Sequence, residues 1–333
     1  MSKIISSLGG INIHKFVEIM GQNIEVHIKG DGKQTVVIQT GMTCSFYDWF
    51  PIIEKLSEHF TVVSYHRPGY GKSDLGNQPR TIRQVTKELH MLLNKLAIQE
   101  PFILIGHSYG GLCAQHFAML HEDKLQALIL VDSTSMNLHR LDELHLPISD
   151  QTDSDDVWFQ KYNMYSKMDV DTLYNELKPI LTDQSKQQIE FSTSPSLYKA
   201  TASELSEWKN CALSLKELCK TLEIPLIVIG RDPQYSITQL TNGGMPKEEA
   251  TQLEAMWQEL IHEQLHLSTN SQYILAEHAS HGIENDRPDI IIEAIHFLQI
   301  KKRKQLKLLP YLSIHNLLHH RFLRNMNFHY LHI

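Results

Sequence analysis

The sequence predicts an α/β fold in which a mostly parallel sheet carries helices on both faces. From residue 16 to residue 132, short β-branched runs alternate with amphipathic helical stretches, and this alternation resumes near residue 225. Between these two parts the pattern is purely helical. Strand–helix alternation of this kind favours parallel strands that are buried on both faces.

The first part of the predicted core, residues 1–132, contains six strands and three helices. A Gly-Gln-Asn turn between the first two strands predicts an antiparallel hairpin at one edge of the sheet. The helices are predicted where apolar residues recur at three- and four-residue spacing. The predicted strands are 16–20, 24–28, 35–39, 61–65, 102–105 and 125–131, and the predicted helices are 46–58, 80–98 and 109–121.

Residues 133–222 are predicted to form a helical cap, and residues 223–300 complete the core. The aromatic side chains of the helical stretch favour equally a cap that has its own small core and a lining for a substrate. The predicted helices of this segment are 155–168, 170–181 and 197–220. The second part of the core has predicted strands at 225–229 and 272–276 and predicted helices at 246–267 and 287–299.

The composition is that of an ordinary globular protein, with 42% apolar and 21% charged residues among 333. The first residues lack the apolar stretch and cleavage site of a secretory signal, and no apolar run is long enough to span a membrane. Four scattered cysteines, without a CxxC pair or a histidine at zinc-ligand spacing, indicate reduced thiols. We therefore expect a cytoplasmic protein without a metal or a cofactor.

Charge is distributed unevenly along the chain, whose formal net charge is −7. Residues 301–333 carry seven Lys and Arg, five His and no acidic residue, which leaves 24 basic and 38 acidic groups in residues 1–300. An acidic body argues against nucleic acid as a partner. The tail is expected to be a poorly ordered appendage, in preference to a segment that contacts a membrane surface.

The central motif is Gly106-His107-Ser108-Tyr109-Gly110, which follows the apolar run FILI and precedes a helix. This is the G-x-S-x-G pattern in the strand–turn–helix context that a nucleophile elbow requires. Gly106 and Gly110 lack side chains, so the strand and the helix can approach each other. The alternative, a phosphate-binding turn, would carry GxGxxG or a Lys-Ser/Thr ending, and neither is present. Ser108 is therefore the predicted nucleophile.

A serine hydroxyl needs a general base and an acid that orients the base. His278 and His281 both follow the last predicted strand, and we favour His281 because it precedes Gly282 in a loop that leads into the final helix. The acid is Asp232, which follows the strand PLIVI, or alternatively Asp132, which ends the preceding strand. Either aspartate could instead cap a turn or a helix.

Two backbone N–H groups are needed to hold the oxyanion. One is predicted to be that of Tyr109, directly after the nucleophile. The second is predicted to be that of Met42, in the loop that follows the third strand, where Gly41 permits the turn. Thr43 and Ser45 in the same loop are candidates for capping the next helix.

These residues together resemble the α/β-hydrolase superfamily over residues 10–300. The likeness rests on the Thr-Gly-Met turn, the HRPGYGKSD loop at 66–74, the GHSYGG elbow, LVDS and the SHGI ending. More narrowly, WQELIHEQLHLSTNS at 257–271 is similar to a bacterial branch of esterase-like members. The resemblance implies a capped, eight-stranded fold, a Ser–Asp/Glu–His triad and no cofactor.

Three positions depart from the pattern of the superfamily. Thr40 stands where many relatives have histidine, and His66 stands where the loop usually begins with aspartate. Pro233 occupies the position at which relatives often carry the acid, so Asp232 lies one residue early and Asp132 remains open.

The predicted function is serine hydrolysis of a small-molecule carboxylic ester through an acyl-enzyme. Related acyl bonds, carbon–carbon cleavage and a cofactor-free haloperoxidase activity share the same motif. A receptor or regulatory protein that binds a ligand with little turnover is the alternative from another class. Dehalogenases and epoxide hydrolases of this fold use aspartate as the nucleophile. Because Ser108 stands at that position here, these two activities are ranked below ester hydrolysis. The sequence indicates neither the substrate nor the oligomeric state.

Overall fold

A computed structural model describes residues 10–303 of the chain. Its centre is an eight-stranded sheet in the order β1-β2-β4-β3-β5-β6-β7-β8. The strands are β1 (Asn12–Ile19), β2 (Gln22–Lys29), β3 (Thr35–Gln39), β4 (Thr61–Tyr65), β5 (Phe102–His107), β6 (Leu125–Val131), β7 (Leu226–Arg231) and β8 (Ser271–Ala276).

All neighbouring pairs from β4 to β8 are parallel, whereas β2 runs antiparallel to both β1 and β4. The predicted hairpin at the edge is confirmed, with Gly21 in its turn at a φ of 74°. Every residue of β5 and of β7 is buried. Strands that are buried on both faces must be covered by other elements on both sides, so the predicted fold class is confirmed.

Twelve α-helices lie within residues 10–303, ten of them between the first and the last strand and two after β8. Most of the sheet connections use long amphipathic or apolar helices, and four of the twelve have four to seven residues only. The helices are α1 (Phe50–Leu56), α2 (Ile82–Lys95), α3 (Tyr109–Leu120), α4 (Asp150–Asp153), α5 (Asp155–Tyr165), α6 (Val170–Leu177), α7 (Lys186–Ser192), α8 (Pro195–Leu218), α9 (Pro233–Asn242), α10 (Lys247–Glu263), α11 (Ile283–Asp286) and α12 (Pro288–Arg303).

The main core lies between the sheet and helices α2, α3 and α8. Leu104 and Leu128 of the sheet, Leu89 of α2, Phe117 of α3 and Leu215 of α8 belong to one continuous apolar cluster. Burial of such side chains is the main stabilising contribution to a fold of this size, at roughly 1.5–3 kcal/mol for each large apolar side chain. Helix α3 is buried almost completely, and its residues are mostly apolar, with the buried exceptions Gln115 and His116.

Helices α4 to α8 all lie in the chain between β6 and β7. Several of them share a second apolar cluster, which includes Tyr165, Leu173, Phe191 and Tyr198 together with Tyr70 from the loop after β4. Some of the aromatic side chains of this segment thus form a small core of its own. Phe159, by contrast, is exposed.

The structure corrects several predicted boundaries. Strand β1 begins four residues before the predicted start, because its residues are mostly exposed and lack an apolar run. Helix α9 was not predicted, although Asp232 followed by Pro233 is a typical start signal for a helix. Helix α7 begins with a capping box at Ser185, which the sequence analysis also missed.

Internal contacts divide the chain into two units, residues 1–295 and residues 296–333. The strands and helices α1 to α11 belong to the first. Of the second unit the structure describes only residues 296–303, which continue α12. The predicted appendage at 301–333 otherwise lies outside the described residues. No helix within residues 10–303 is both long and apolar enough to cross a membrane.

Candidate active site

Ser108 lies at the turn between β5 and α3, with a φ of 52° and a ψ of −126°. A positive φ is uncommon for a residue with a side chain and costs free energy, so neighbouring contacts must hold it. The Ser108 carbonyl accepts hydrogen bonds from Gly111 N at 2.8 Å and from Thr134 N at 3.1 Å. These contacts keep the half-buried hydroxyl at the start of α3.

Gly106 and Gly110 allow the strand and the helix to meet at this turn. A Cβ on Gly106 would lie 2.7 Å from Ala114 Cβ, and one on Gly110 would lie 2.3 Å from the carbonyl oxygens of Gln39 and Thr40. Both distances are too short for real atoms. The absence of side chains at these two positions is therefore a steric requirement of the turn, as the sequence motif predicts.

His281 lies in the loop between β8 and α11, beside Ser108. Its Nε2 is 3.0 Å from Ser108 Oγ, and its Nδ1 is 2.6 Å from Asp132 Oδ2. Because the Asp132 carboxylate accepts a hydrogen bond from Nδ1–H, the proton of the neutral ring stays on Nδ1 and the lone pair of Nε2 faces the serine hydroxyl. Loss of hydration lowers the pKa of His281 and outweighs the opposing effect of Asp132. The imidazole is thus neutral at pH 7.

Asp132 follows β6 and its side chain is 0% exposed. Its carboxylate accepts from Trp257 Nε1 at 3.0 Å and lies 3.4 Å from Arg231 Nη1. Burial alone would raise the pKa of Asp132. The Arg231 charge and the His281 hydrogen bond lower it by more than burial raises it, so the pKa lies below its ordinary value. The carboxylate is therefore ionised when it faces His281.

Arg231 and Trp257 are partners of this site that the sequence analysis missed. Arg231 bridges Asp132 and Glu254, whose Oε2 is 2.6 Å from Arg231 Nη2, and the guanidinium lies 4.7 Å from the centre of the Trp257 ring. The Trp257 ring also meets His281 edge to face, at 5.6 Å between ring centres. Trp257 lies in the segment 257–271 that resembles the bacterial branch. This resemblance was the one sequence feature that could have pointed to Trp257.

Asp232, the preferred acid of the sequence analysis, does not contact His281 and has other partners. Asp232 Oδ1 accepts from the backbone N–H of Gln234 at 2.9 Å and of Tyr235 at 3.1 Å, and Oδ2 accepts from His278 N at 3.0 Å. Its carboxylate therefore caps α9 and anchors the β8 loop. Both oxygens are used by backbone groups, and it is Asp132 whose carboxylate meets His281. His278 is exposed and has a φ of 62°.

The predicted oxyanion donors belong to two different segments, the start of α3 and the loop after β3. Tyr109 N belongs to the first residue of α3, where no intrahelical acceptor is available. Gly41, which precedes Met42, approaches the serine so closely that a Cβ on Gly41 would lie 3.1 Å from Ser108 Cβ. The loop that carries Met42 is thus brought next to the nucleophile.

The same loop is held by Arg67, which is buried. Arg67 Nη1 donates to the Thr40 carbonyl at 2.6 Å, and Nη2 donates to the Gly41 carbonyl at 2.9 Å. Its other contacts go to Glu204 of α8, with Nε 2.8 Å from Oε1 and Nη2 3.1 Å from Oε2. Although burial opposes charge, Glu204 raises the pKa of Arg67, so the guanidinium stays protonated.

A second buried network explains the histidine at position 66. His66 Nδ1 donates to Glu25 Oε2 at 2.7 Å, while its Nε2 accepts from the Ser45 hydroxyl at 2.9 Å and from Phe46 N at 3.3 Å. Burial lowers the pKa of His66, and these contacts fit the neutral imidazole. Glu25 of β2 thus supplies the carboxylate that the loop itself lacks.

One group of side chains within residues 10–303 could hold a metal ion. Cys44, His107 and Glu284 each offer a donor atom, and the three atoms lie within 4.8 Å of one another. His107 Nε2 already donates to the His281 carbonyl at 2.9 Å. A mixed set of sulfur, nitrogen and oxygen donors is compatible with a transition metal. Ser108, His281 and Asp132 form their chain of hydrogen bonds without these groups.

Comparison with known proteins gives the same fold. Residues 34–180 match the protein family described as alpha/beta hydrolase fold. The uncharacterized protein YqjL of Bacillus subtilis (strain 168) is 23% identical over 271 residues, which cover 81% of this chain and 85% of YqjL. A solved structure of a putative epoxide hydrolase from Pseudomonas aeruginosa has a TM-score of 0.66 at 15% identity, and the match covers 89% of this chain and 98% of the other.

The sheet order, the elbow and these matches together define the class of protein: the chain has the α/β-hydrolase fold. A shorter match joins it to the putative carbamate hydrolase RutD of Pantoea ananatis (strain LMG 20103), which is 37% identical over 101 residues. Those residues are 30% of this chain and 36% of RutD. The relatives that it matches thus include hydrolases.

Proposed function

We propose that the protein is a serine hydrolase that cleaves a small-molecule carboxylic ester through an acyl-enzyme. The observation that carries this proposal is the chain of hydrogen bonds from Ser108 Oγ to His281 Nε2 and from His281 Nδ1 to Asp132 Oδ2, at 3.0 and 2.6 Å. A nucleophile, a base and an acid in this order are what acyl transfer needs. Ser108 is the nucleophile, His281 the base and Asp132 the acid.

In the first step, Ser108 Oγ attacks the ester carbonyl carbon while its proton moves to His281 Nε2. The buried Asp132 carboxylate stabilises the imidazolium that forms, and it keeps the ring in the tautomer that has a free Nε2. The carbonyl oxygen becomes an oxyanion, which the N–H groups of Met42 and Tyr109 hold. The carbon–oxygen bond to the leaving group then breaks, and His281 gives its proton to the departing alcohol.

In the second step, water replaces the alcohol. His281 Nε2 takes a proton from the water, whose oxygen attacks the acyl carbon, and the same two N–H groups hold the second oxyanion. Collapse of this intermediate breaks the bond to Ser108 Oγ, which recovers its proton from His281. The free carboxylic acid leaves, and the enzyme returns to its starting state without a cofactor.

The helical segment 133–222 is the proposed cap over this site. Its support is the contact between Glu204 of α8 and Arg67, which in turn holds the carbonyls of Thr40 and Gly41 beside Ser108. A cap in this position would exclude water and select the substrate, which we place among small-molecule esters. The four cysteines form no disulfide, in keeping with the cytoplasmic location that we propose.

The test is covalent labelling combined with turnover. The wild-type protein should hydrolyse short-chain nitrophenyl esters and react with a fluorophosphonate probe, and the labelled peptide should contain Ser108. Ser108→Ala should abolish both signals. Ser45→Ala is the control substitution, because the Ser45 hydroxyl bonds to His66 and not to His281. Full turnover in Ser108→Ala, or a wild-type protein that neither reacts nor turns over, contradicts the proposal. The second outcome favours a binding protein.

A further inference from the structure

We infer that Arg67 and Glu204 are positioning residues for the oxyanion loop, through which the helical segment 133–222 controls the formation of the oxyanion hole. This inference rests on the proposed function and deepens it. Neither side chain touches a reacting atom. Their effect passes through the backbone of residues 40–43, the loop that carries the proposed Met42 donor.

Arg67 acts on the oxyanion loop through one peptide unit, the one between Gly41 and Met42. The Gly41 carbonyl and the Met42 N–H belong to the same planar trans peptide, so they point in opposite directions. Arg67 Nη2 holds that carbonyl at 2.9 Å, and this contact sets the direction of the Met42 N–H. Rotation of the peptide would break this hydrogen bond and turn the donor away from its proposed acceptor.

Arg67 is itself held by a residue of the helical segment, Glu204. Glu204, which is 0% exposed, meets the guanidinium edge with both carboxylate oxygens, at 2.8 and 3.1 Å. A paired contact of this kind fixes the plane of the guanidinium as well as its position. Two of the three remaining N–H groups of the same plane then point at the carbonyls of Thr40 and Gly41.

Tyr70 gives a second connection between the same two elements. Its hydroxyl donates to Glu204 Oε2 at 2.5 Å and accepts from Thr43 N at 3.3 Å, one residue beyond the Met42 donor. Thr201 Oγ1 of α8 also lies 3.2 Å from this hydroxyl. Glu204 therefore reaches the oxyanion loop on both sides of Met42, through Arg67 before it and through Tyr70 after it.

Arg67 also lies close to Tyr109, the residue of the second proposed oxyanion donor. The Arg67 guanidinium lies over the Tyr70 ring, at 4.4 Å from its centre, and 5.6 Å from the centre of the Tyr109 ring. One cation thus contacts the loop of one donor and the side chain of the other. The ion pair is buried, and removal of one partner leaves the other charge without compensation. The loop should therefore hold the Met42 N–H towards the oxyanion only when the Glu204 carboxylate is paired with Arg67.

The test compares Glu204→Gln with Glu88→Gln. Glu88 forms a buried, paired contact with Arg80 at 2.6 and 2.7 Å, so the chemical change is matched, but it has no contact with residues 40–43. Complete loss of one oxyanion donor lowers kcat by about 10²- to 10³-fold. We expect Glu204→Gln to lower kcat roughly 10- to 100-fold with KM nearly unchanged, and Glu88→Gln to leave kcat within about twofold.

A trifluoromethyl ketone provides a readout that a purely structural role would not move. Such a ketone adds to a serine and places an oxyanion in the hole, so its affinity should fall by the same factor as kcat in Glu204→Gln. Tyr70→Phe is the milder variant if Glu204→Gln fails to fold, and it should show a smaller loss of the same kind. A wild-type protein without turnover contradicts the proposed function itself. An active wild type with unchanged kcat and ketone affinity in Glu204→Gln, or equal losses in Glu88→Gln, overturns only the positioning role.

Discussion

Asp132 Oδ2 lies 2.6 Å from His281 Nδ1, across 149 positions of sequence. The two residues come from the ends of β6 and β8, and β7 lies between these strands in the sheet. The Asp132 side chain must therefore reach past the end of β7. Its positive φ of 39° and the hydrogen bond from its N–H to the Ile229 carbonyl of β7, at 2.8 Å, hold it in that direction.

The first prediction separates the two candidate acids. Asp132→Asn should lower kcat by roughly 10⁴-fold, because an amide cannot keep His281 in the required tautomer or stabilise the imidazolium. Asp232→Asn should leave kcat within about threefold, since asparagine is also a good helix cap. Steady-state hydrolysis of one nitrophenyl ester by both variants measures the difference. A severe loss in Asp232→Asn beside a mild one in Asp132→Asn would restore Asp232 as the acid.

Asp132 and Asp232 also show what the sequence alone could not predict. Both follow a strand and both lie at the same edge of the sheet, so position along the chain could not decide between them. What distinguishes them is the set of hydrogen-bond partners, which are backbone N–H groups at Asp232 and the Trp257 and His281 side chains at Asp132. Asp232 caps α9, a helix that the sequence analysis did not predict, and this missing element is why its carboxylate seemed free to orient the histidine.

The closeness of Ser108 and His281 could be predicted from the sequence for a different reason. Ser108 and His281 are tied to local signals, which are a glycine-flanked turn after a buried strand and a loop that leads into the last helix. Local signals of this kind can be recognised without knowledge of the tertiary contacts. The partners that act from a distance, such as Arg231 and Glu204, carry no local signal, and their roles became visible only through packing.

The second prediction concerns pH. His281 must be neutral to accept the Ser108 proton, so kcat/KM should fall as pH drops through the His281 pKa. Loss of hydration lowers that pKa from its ordinary value of 6.5, and the acid limb of the profile should therefore have its midpoint below 6.5. Ester hydrolysis between about pH 4 and 9 gives the profile. Full activity after each sample is returned to about pH 7.5 excludes irreversible unfolding as the cause of the loss. A midpoint above 6.5 contradicts a lowered His281 pKa.

The third prediction addresses Glu25, which the structure identifies as the carboxylate partner of His66. Glu25 is buried and accepts hydrogen bonds from His66 Nδ1 at 2.7 Å and from Lys72 N at 2.8 Å. Glu25→Gln places an amide N–H against one of these donors and should reduce the free energy of unfolding by about 2–4 kcal/mol. Glu54→Gln, at a side chain that is 60% exposed, should change it by less than about 0.5 kcal/mol.

The pH dependence of this stability difference follows from the Glu25 pKa. Burial raises that pKa, but the hydrogen bonds from His66 and Lys72 help to lower it overall, below its ordinary value of 4.5. A carboxyl group with a lowered folded pKa contributes stability above its unfolded pKa and loses it as pH falls. Urea unfolding should therefore show the full gap between wild type and Glu25→Gln at pH 7, and a narrowing gap below pH 4.5. A gap that widens below this pH would mean that Glu25 is protonated in the folded protein.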